Sequence, residues 1–167
     1  YIEVEYVEST VDKRKYLVQN IESKEKAADM LARLNDKISK LLRHLLEKEP
    51  DNEAYLRLKR NYNVNNISEG TEKENYTSYS VNKGEQIVFC LRARNDTKDF
   101  VDENILMYVA THELGHLMTK EIGHTQKFWD NFKMLLQEAI NIKVYEHVDY
   151  SKSPIDYCGI NIKSSII

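Results

Sequence analysis

An α+β fold is predicted, with a small antiparallel sheet or hairpin packed on three to four helices. Three observations carry the expectation. Apolar and polar residues alternate with strand periodicity near the N-terminus, and β-prone residues fill two arms over 76–81 and 86–91 on either side of a turn. Apolar residues recur at three- and four-residue spacing in a long early segment and in two later ones, which is helical periodicity. The 167 residues suit one domain and are enough for a real core. The expected organisation is one unit over 1–167: a supporting region over 1–75, a hairpin with two helices over 76–143, and an extended tail over 144–167.

In chain order, Ile2, Val4 and Tyr6 alternate with Glu3 and Glu5 as a strand does, and residues 15–18 are its partner or a second short strand. Ser23 opens a long helix on which Ala27, Leu31, Leu34, Ile38, Leu41 and Leu45 are spaced by fours and threes until Pro50 ends it. A coiled-coil seam would need more heptads, so this helix is expected to face the core, with His44 a surface or packing residue. Residues 51–61 form a short helix capped by Asp51. The Asn-rich segment after it favours turns, making 61–75 the expected loop and the region most apt to move. Residues 76–81 and 86–91, joined by a turn over 82–85, make a hairpin. Its polar-rich neighbours include three Asn-x-Ser/Thr triplets, at Asn66, Asn75 and Asn95, which Asn-rich loops produce readily.

The next helix is expected to start at Asp102 as N-cap, with Glu103 in the first turn where the helix dipole favours negative charge. Ile105, Leu106, Val109, Ala110, Leu114 and Leu117 follow at helical spacing, and Gly123 is the expected stop. Thr125 then caps a second helix with Phe128, Phe132, Leu135, Leu136 and Ala139 on one face.

The first of these helices carries His112-Glu113-Leu114-Gly115-His116, an H-E-x-x-H sequence. Residues four apart stack on a helix with about 6 Å of rise. Two imidazoles can thus converge on one metal, while Glu113 reaches a water beside it without being a ligand. His124 follows immediately after Gly123, where a reversing chain can return it to the metal. Glu138 on the following helix is the alternative third ligand, and Glu121 lies too close to the helix end to be preferred. Cys158 has no supporting spacing.

The sequence His112–His116 followed by His124-Thr125-Gln126-Lys127-Phe128-Trp129 resembles zincin-type zinc metallopeptidases, and within them the WLM and SprT-like groups related to proteases of DNA–protein crosslinks. It also resembles uncharacterised metallopeptidase-like proteins of large DNA viruses, which share the Tyr157-Cys158-Gly159 stretch. The resemblance covers residues 101–159, and the turn between His116 and His124 is about two residues longer than the WLM form. It implies a zincin-like domain in which His112, His116 and His124 hold Zn²⁺ and Glu113 is the general base for a metal-activated water that hydrolyses a peptide bond. It further implies that the hairpin supplies the strand along which substrate lies extended, with Ile87, Val88 and Phe89 as candidates. Tyr157, Tyr150 and His147 are candidates to stabilise an oxyanion.

A peptide or protein substrate is therefore expected of a zinc-dependent endopeptidase. Two other classes stay open: a non-catalytic binding module with a zinc-stabilised fold, and a DNA-associated protease. A net charge of −3 and a pI near 6.0 do not support nucleic-acid binding by this segment. No apolar run spans a membrane. The chain begins with Tyr rather than Met, which leaves room for an upstream segment. Two cysteines, Cys90 and Cys158, make no disulfide framework, so a reduced, intracellular state is expected. Oligomeric state is left open.

Overall fold

A computed structural model describes residues 3–71, 77–164 and 166. Its elements run β1 (Val4–Glu8), β2 (Lys15–Gln19), α1 (Lys24–Lys48), α2 (Glu53–Asn61), β3 (Ile67–Glu69), β4 (Tyr79–Val81), β5 (Gln86–Phe89), α3 (Glu103–Met118), α4 (Gln126–Asn141), β6 (Ile155–Tyr157) and β7 (Ile160–Ile162). Five strands form one sheet in the order β1-β2-β3-β5-β4, and β6 and β7 form a separate hairpin. The α+β class holds. The sheet is mixed, however, because β3 pairs in parallel with both β2 and β5, while β1–β2 and β4–β5 are antiparallel.

β3 corrects the expectation of a loop over 61–75. Asn composition signals turns, and a 3-10 turn does occupy Val64–Asn66, but Ile67 then enters the core and its strand fills the gap between β2 and β5. Three residues are too few for periodicity to reveal. The buried Glu69 carboxylate is balanced by Arg92, whose Nε donates to it at 2.8 Å, and by the Gln19 amide at 2.9 Å. Residues 72–76, where the expected loop and the first hairpin arm continue, lie outside the described residues, as do Tyr1 and Ile2 at the start of the first strand.

α1 buries the predicted seam, from Ala27 to Leu45, against the sheet and the other helices. α2 is capped by Asn52 rather than Asp51: the Asn52 side chain accepts from the Ala54 and Tyr55 amides, so the helix begins one residue later. α3 lies innermost, packed on α1, α2, α4 and β4, and is buried over most of its length. Such burial removes the amphipathic contrast that surface helices show. Among the described residues, no helix is long and apolar enough to cross a membrane.

The expectation of reduced cysteines is corrected: Cys90 and Cys158 are joined in a disulfide that closes 68 residues of sequence. Sequence distance concealed the pair. The β6–β7 turn, with Cys158 and Gly159 both at positive φ, carries Cys158 against the end of β5, where Cys90 sits. A closed set of hydrogen bonds reinforces the link. The Cys90 amide donates to Ser78 Oγ at 3.2 Å, Ser78 lies 2.8 Å from the Tyr157 hydroxyl, and that hydroxyl donates to the Cys90 carbonyl at 2.6 Å.

Candidate metal centre

α3 is fixed at both ends. At its start Asp102 caps the Ile105 amide, and Glu103 makes a two-pronged ion pair with Arg33. At its end the carbonyls that lack intrahelical partners are met by side chains from other elements. Asn61 donates to the Leu117 carbonyl, Arg57 to that of Met118, and Lys83 Nζ to those of His116, Thr119 and Glu121, each at 2.8 Å. A cation at this terminus also complements the helix dipole. The helix stops at Met118, with Thr119 as C-cap, five residues before Gly123. Thr119 turns its hydroxyl back onto the Gly115 carbonyl, and Lys83 gathers the chain that follows. Gly123, with φ 87°, instead shapes the turn that delivers His124.

The Lys83 position depends on its neighbour. Asn82, Lys83 and Gly84 all have positive φ, and a Cβ on Gly84 would sit 2.1 Å from the Asn61 carbonyl oxygen. Only glycine lets the hairpin turn approach α2 this closely.

The structure brings His112, His116 and His124 together, with one ligand nitrogen from each lying within 4.8 Å of the others. Phe128 of α4 stacks beneath His116 at 4.2 Å and 21°, and Gly115 makes the approach feasible, since a Cβ there would press on the Phe128 ring at 3.0 Å. Thr125 caps α4 as predicted, through the Phe128 amide. Burial, then the charges of His112 and His124, push the His116 pKa down to about 4, and burial lowers that of His124. Both shifts favour the neutral form of His116 and His124, the form in which imidazole ligates a metal. Three imidazoles at this spacing are a donor set suited to Zn²⁺ with a fourth position open. Glu113 is buried beside them, Oε2 lying 3.0 Å from His112 Nδ1.

Glu138, the alternative ligand, is engaged elsewhere. Its carboxylate binds Lys48 at 2.7 Å and His44 at 2.6 Å on the α1 side of α4, which also gives His44 its role. Glu121 pairs with Lys127, and Cys158 is bound in the disulfide. Tyr150 is buried against Tyr108 with ring centroids 5.1 Å apart, and His147 is exposed beside Asp149. Neither is among the residues lining the cleft at the histidines. Tyr157 does line it, but its hydroxyl is committed to Cys90 and Ser78, and burial raises its pKa.

Ile87, Val88 and Phe89 are not an edge. They form β5, which is paired on one side with β3 and on the other with β4, and all three side chains are buried. The edge strand on this side of the sheet is β4, and its residues Tyr79 and Ser80 line a cleft of about 460 Å³ with Lys83, Glu113 and the three histidines. The signal was in the sequence: Ile87-Val88-Phe89-Cys90-Leu91 is an unbroken apolar run, the mark of a strand covered on both faces. Nothing comparable marked Lys83.

A helix-borne pair of histidines, a third from the following turn, a buried glutamate and an adjacent edge strand together make a candidate metal centre beside an open sheet edge. The WLM domain model matches residues 10–156, and the chain belongs to that family. An uncharacterised protein of Acanthamoeba polyphaga mimivirus is 37% identical over 173 residues, spanning 99% of this chain and 85% of that one. One from Invertebrate iridescent virus 6 is 35% identical over 85 residues, covering 50% of this chain and 47% of the relative. Among solved structures, Wss1 from Saccharomyces cerevisiae shares the fold with a TM-score of 0.58 and 22% identity, over 76% of this chain and 88% of that one.

Proposed function

We propose that this protein is a zinc-dependent peptidase that hydrolyses peptide bonds, with Glu113 as general base. The observation that carries the proposal is the convergence of His112, His116 and His124 with the Glu113 carboxylate at their side. His112, His116 and His124 would hold the ion. When bound, Zn²⁺ would supply Lewis acidity, able to polarise a carbonyl and to lower the pKa of water. The chain does the rest. β4 offers main-chain groups to an extended peptide, as sheet edges do in strand addition. Glu113, shielded from bulk solvent, accepts a proton from water and returns it to the leaving amine. The Phe128 ring and the Lys83 bonds keep His116 and the succeeding turn from rearranging.

The test is a pair of variants assayed for both metal content and peptide cleavage. His112→Ala is expected to lose zinc and activity together. Glu113→Gln is expected to keep zinc while cleavage falls by about 10²–10⁴-fold, the usual worth of a positioned general base. Undiminished cleavage by Glu113→Gln would refute the assignment, and absence of any cleavage by zinc-loaded wild type would favour a zinc-stabilised binding module.

A further inference from the structure

The cleft at the histidines has a second half. Beyond Ser78, His112 and Glu113, which line both parts, the space continues into a cavity of about 540 Å³ with a different character. Its walls are Tyr108 and Val109 from α3, Phe132 from α4, Tyr157 from β6, and Ile160 and Ile162 from β7. An apolar cavity of roughly 150 Å³ is already enough to take up benzene. The rings are braced, with Tyr108 5.4 Å from Phe132 and 5.1 Å from Tyr150. Ile160, by contrast, is 51% exposed.

The tail hairpin is held in place far more firmly than six strand residues would manage alone. Its turn is bonded covalently to the end of β5, and Tyr157 joins the hydrogen-bonded ring through Ser78 and Cys90. Those anchors set an apolar wall opposite α3, next to Glu113, and at the N-terminal end of β4. A peptide lying along β4 across the histidines would direct a side chain flanking the reacting bond into this space.

We propose that the pocket between α3 and the disulfide-anchored β6–β7 hairpin is a specificity site that accepts a large apolar side chain, such as Phe, Leu or Met, from the peptide substrate. The inference builds on the peptidase reading but is separable from it. The walls bury apolar surface on binding, and they offer no carboxylate except that of Glu113 to a cationic side chain. Lys163 at the mouth further disfavours Lys and Arg.

The experiment uses two readouts on the zinc-loaded protein. A randomised octapeptide library is digested by wild type and the cleavage sites read by mass spectrometry. In parallel, calorimetry measures binding to Glu113→Gln of two acetylated octapeptides that differ only in Phe or Ser at the flanking position. The expected result is enrichment of Phe, Leu and Met by about tenfold or more at one position beside the cleaved bond. A similar ratio is expected between the two binding constants. Both should collapse in Ile160→Asp, whose exposed position leaves folding intact, and weaken in Ile162→Ser, while zinc content and thermal unfolding stay at wild-type values for Ile160→Asp. Cleavage without preference, or a preference that survives both substitutions, overturns the pocket and leaves the peptidase reading standing. Binding selectivity without cleavage by wild type keeps the pocket and removes the peptidase reading. Equal binding of the two octapeptides, with no cleavage, overturns both.

Discussion

On the His124 side of the cleft, one ammonium donating to three carbonyls holds the turn that presents the third imidazole. On the Tyr157 side, a disulfide and a ring of hydrogen bonds through Ser78 and Cys90 hold the wall. The first arrangement is electrostatic and local, spanning the β4–β5 turn and the end of α3. The second is covalent and bridges 68 residues. Two walls that flank the same histidines therefore answer to different perturbations, charge removal for one and reduction for the other. On the proposed reading, the contrast separates holding the metal, which would depend on the placement of His124, from choosing what lies beside it, which would depend on the hairpin.

The largest expected effect comes from breaking the covalent wall. Cys158→Ser, or reduction of the wild type, should lower stability by about 2–4 kcal/mol, the usual range for a bridge closing a long loop. Urea unfolding with and without reductant measures it. Zinc affinity should change little, because His112 and His116 sit on the core-packed helix α3 and the turn carrying His124 is held by Lys83, neither of which needs the disulfide. A matching loss of zinc on reduction would show that the two walls are coupled after all.

A smaller effect is expected from the electrostatic wall. Lys83→Met removes three hydrogen bonds to the α3 end and its following turn, and zinc affinity should fall about tenfold, the lower end of what supporting groups contribute around a metal. Competition with a chromophoric chelator reads the affinity. Trp129, the one tryptophan in the chain, lies 5.4 Å from His124 and reports the same turn by fluorescence. Peptide selectivity in the apolar pocket should be unchanged in this variant, which completes the separation.

The smallest effect lies outside both walls and serves as a control. Hydrogen bonds from Lys48, then from His44, hold the Glu138 carboxyl below its ordinary value of 4.5. A depressed folded-state pKa contributes stability that is present above the unfolded value and is lost as pH falls through the folded one. Glu138→Gln should therefore melt lower than wild type at neutral pH, by about 2 °C given that Lys48 is half-exposed to solvent. The gap should close as pH drops below 4.5. A gap that persists in acid would mean that packing, and not charge, is lost in the variant.

Local pattern revealed α3 and α4 because their information is local. Asp102 and Thr125 were recognisable as caps, and His112, Glu113 and His116 share a helix whose geometry fixes their spacing. His124 was legible because only a short turn separates it from that helix. β3 was not legible, since Ile67–Glu69 is too short for a period and owes its strand state to partners on either side. Which hairpin arm would be outermost was decided by β3 as well, although the apolar run after Gln86 carried the hint. The end of α3 was misjudged because side chains from elsewhere intervene, Arg57 at the Met118 carbonyl and Lys83 just beyond it.

The sequence by itself determined that His112, Glu113 and His116 share one helix, with His124 a short turn away, because helical spacing sets where successive turns aim their side chains. Only the tertiary structure decided which strand borders the histidines, that Cys90 meets Cys158, that Glu138 turns away toward His44 and Lys48, and that the tail makes an apolar wall. Each of those outcomes depends on contacts between residues far apart in the chain, and these are settled by how the whole core packs.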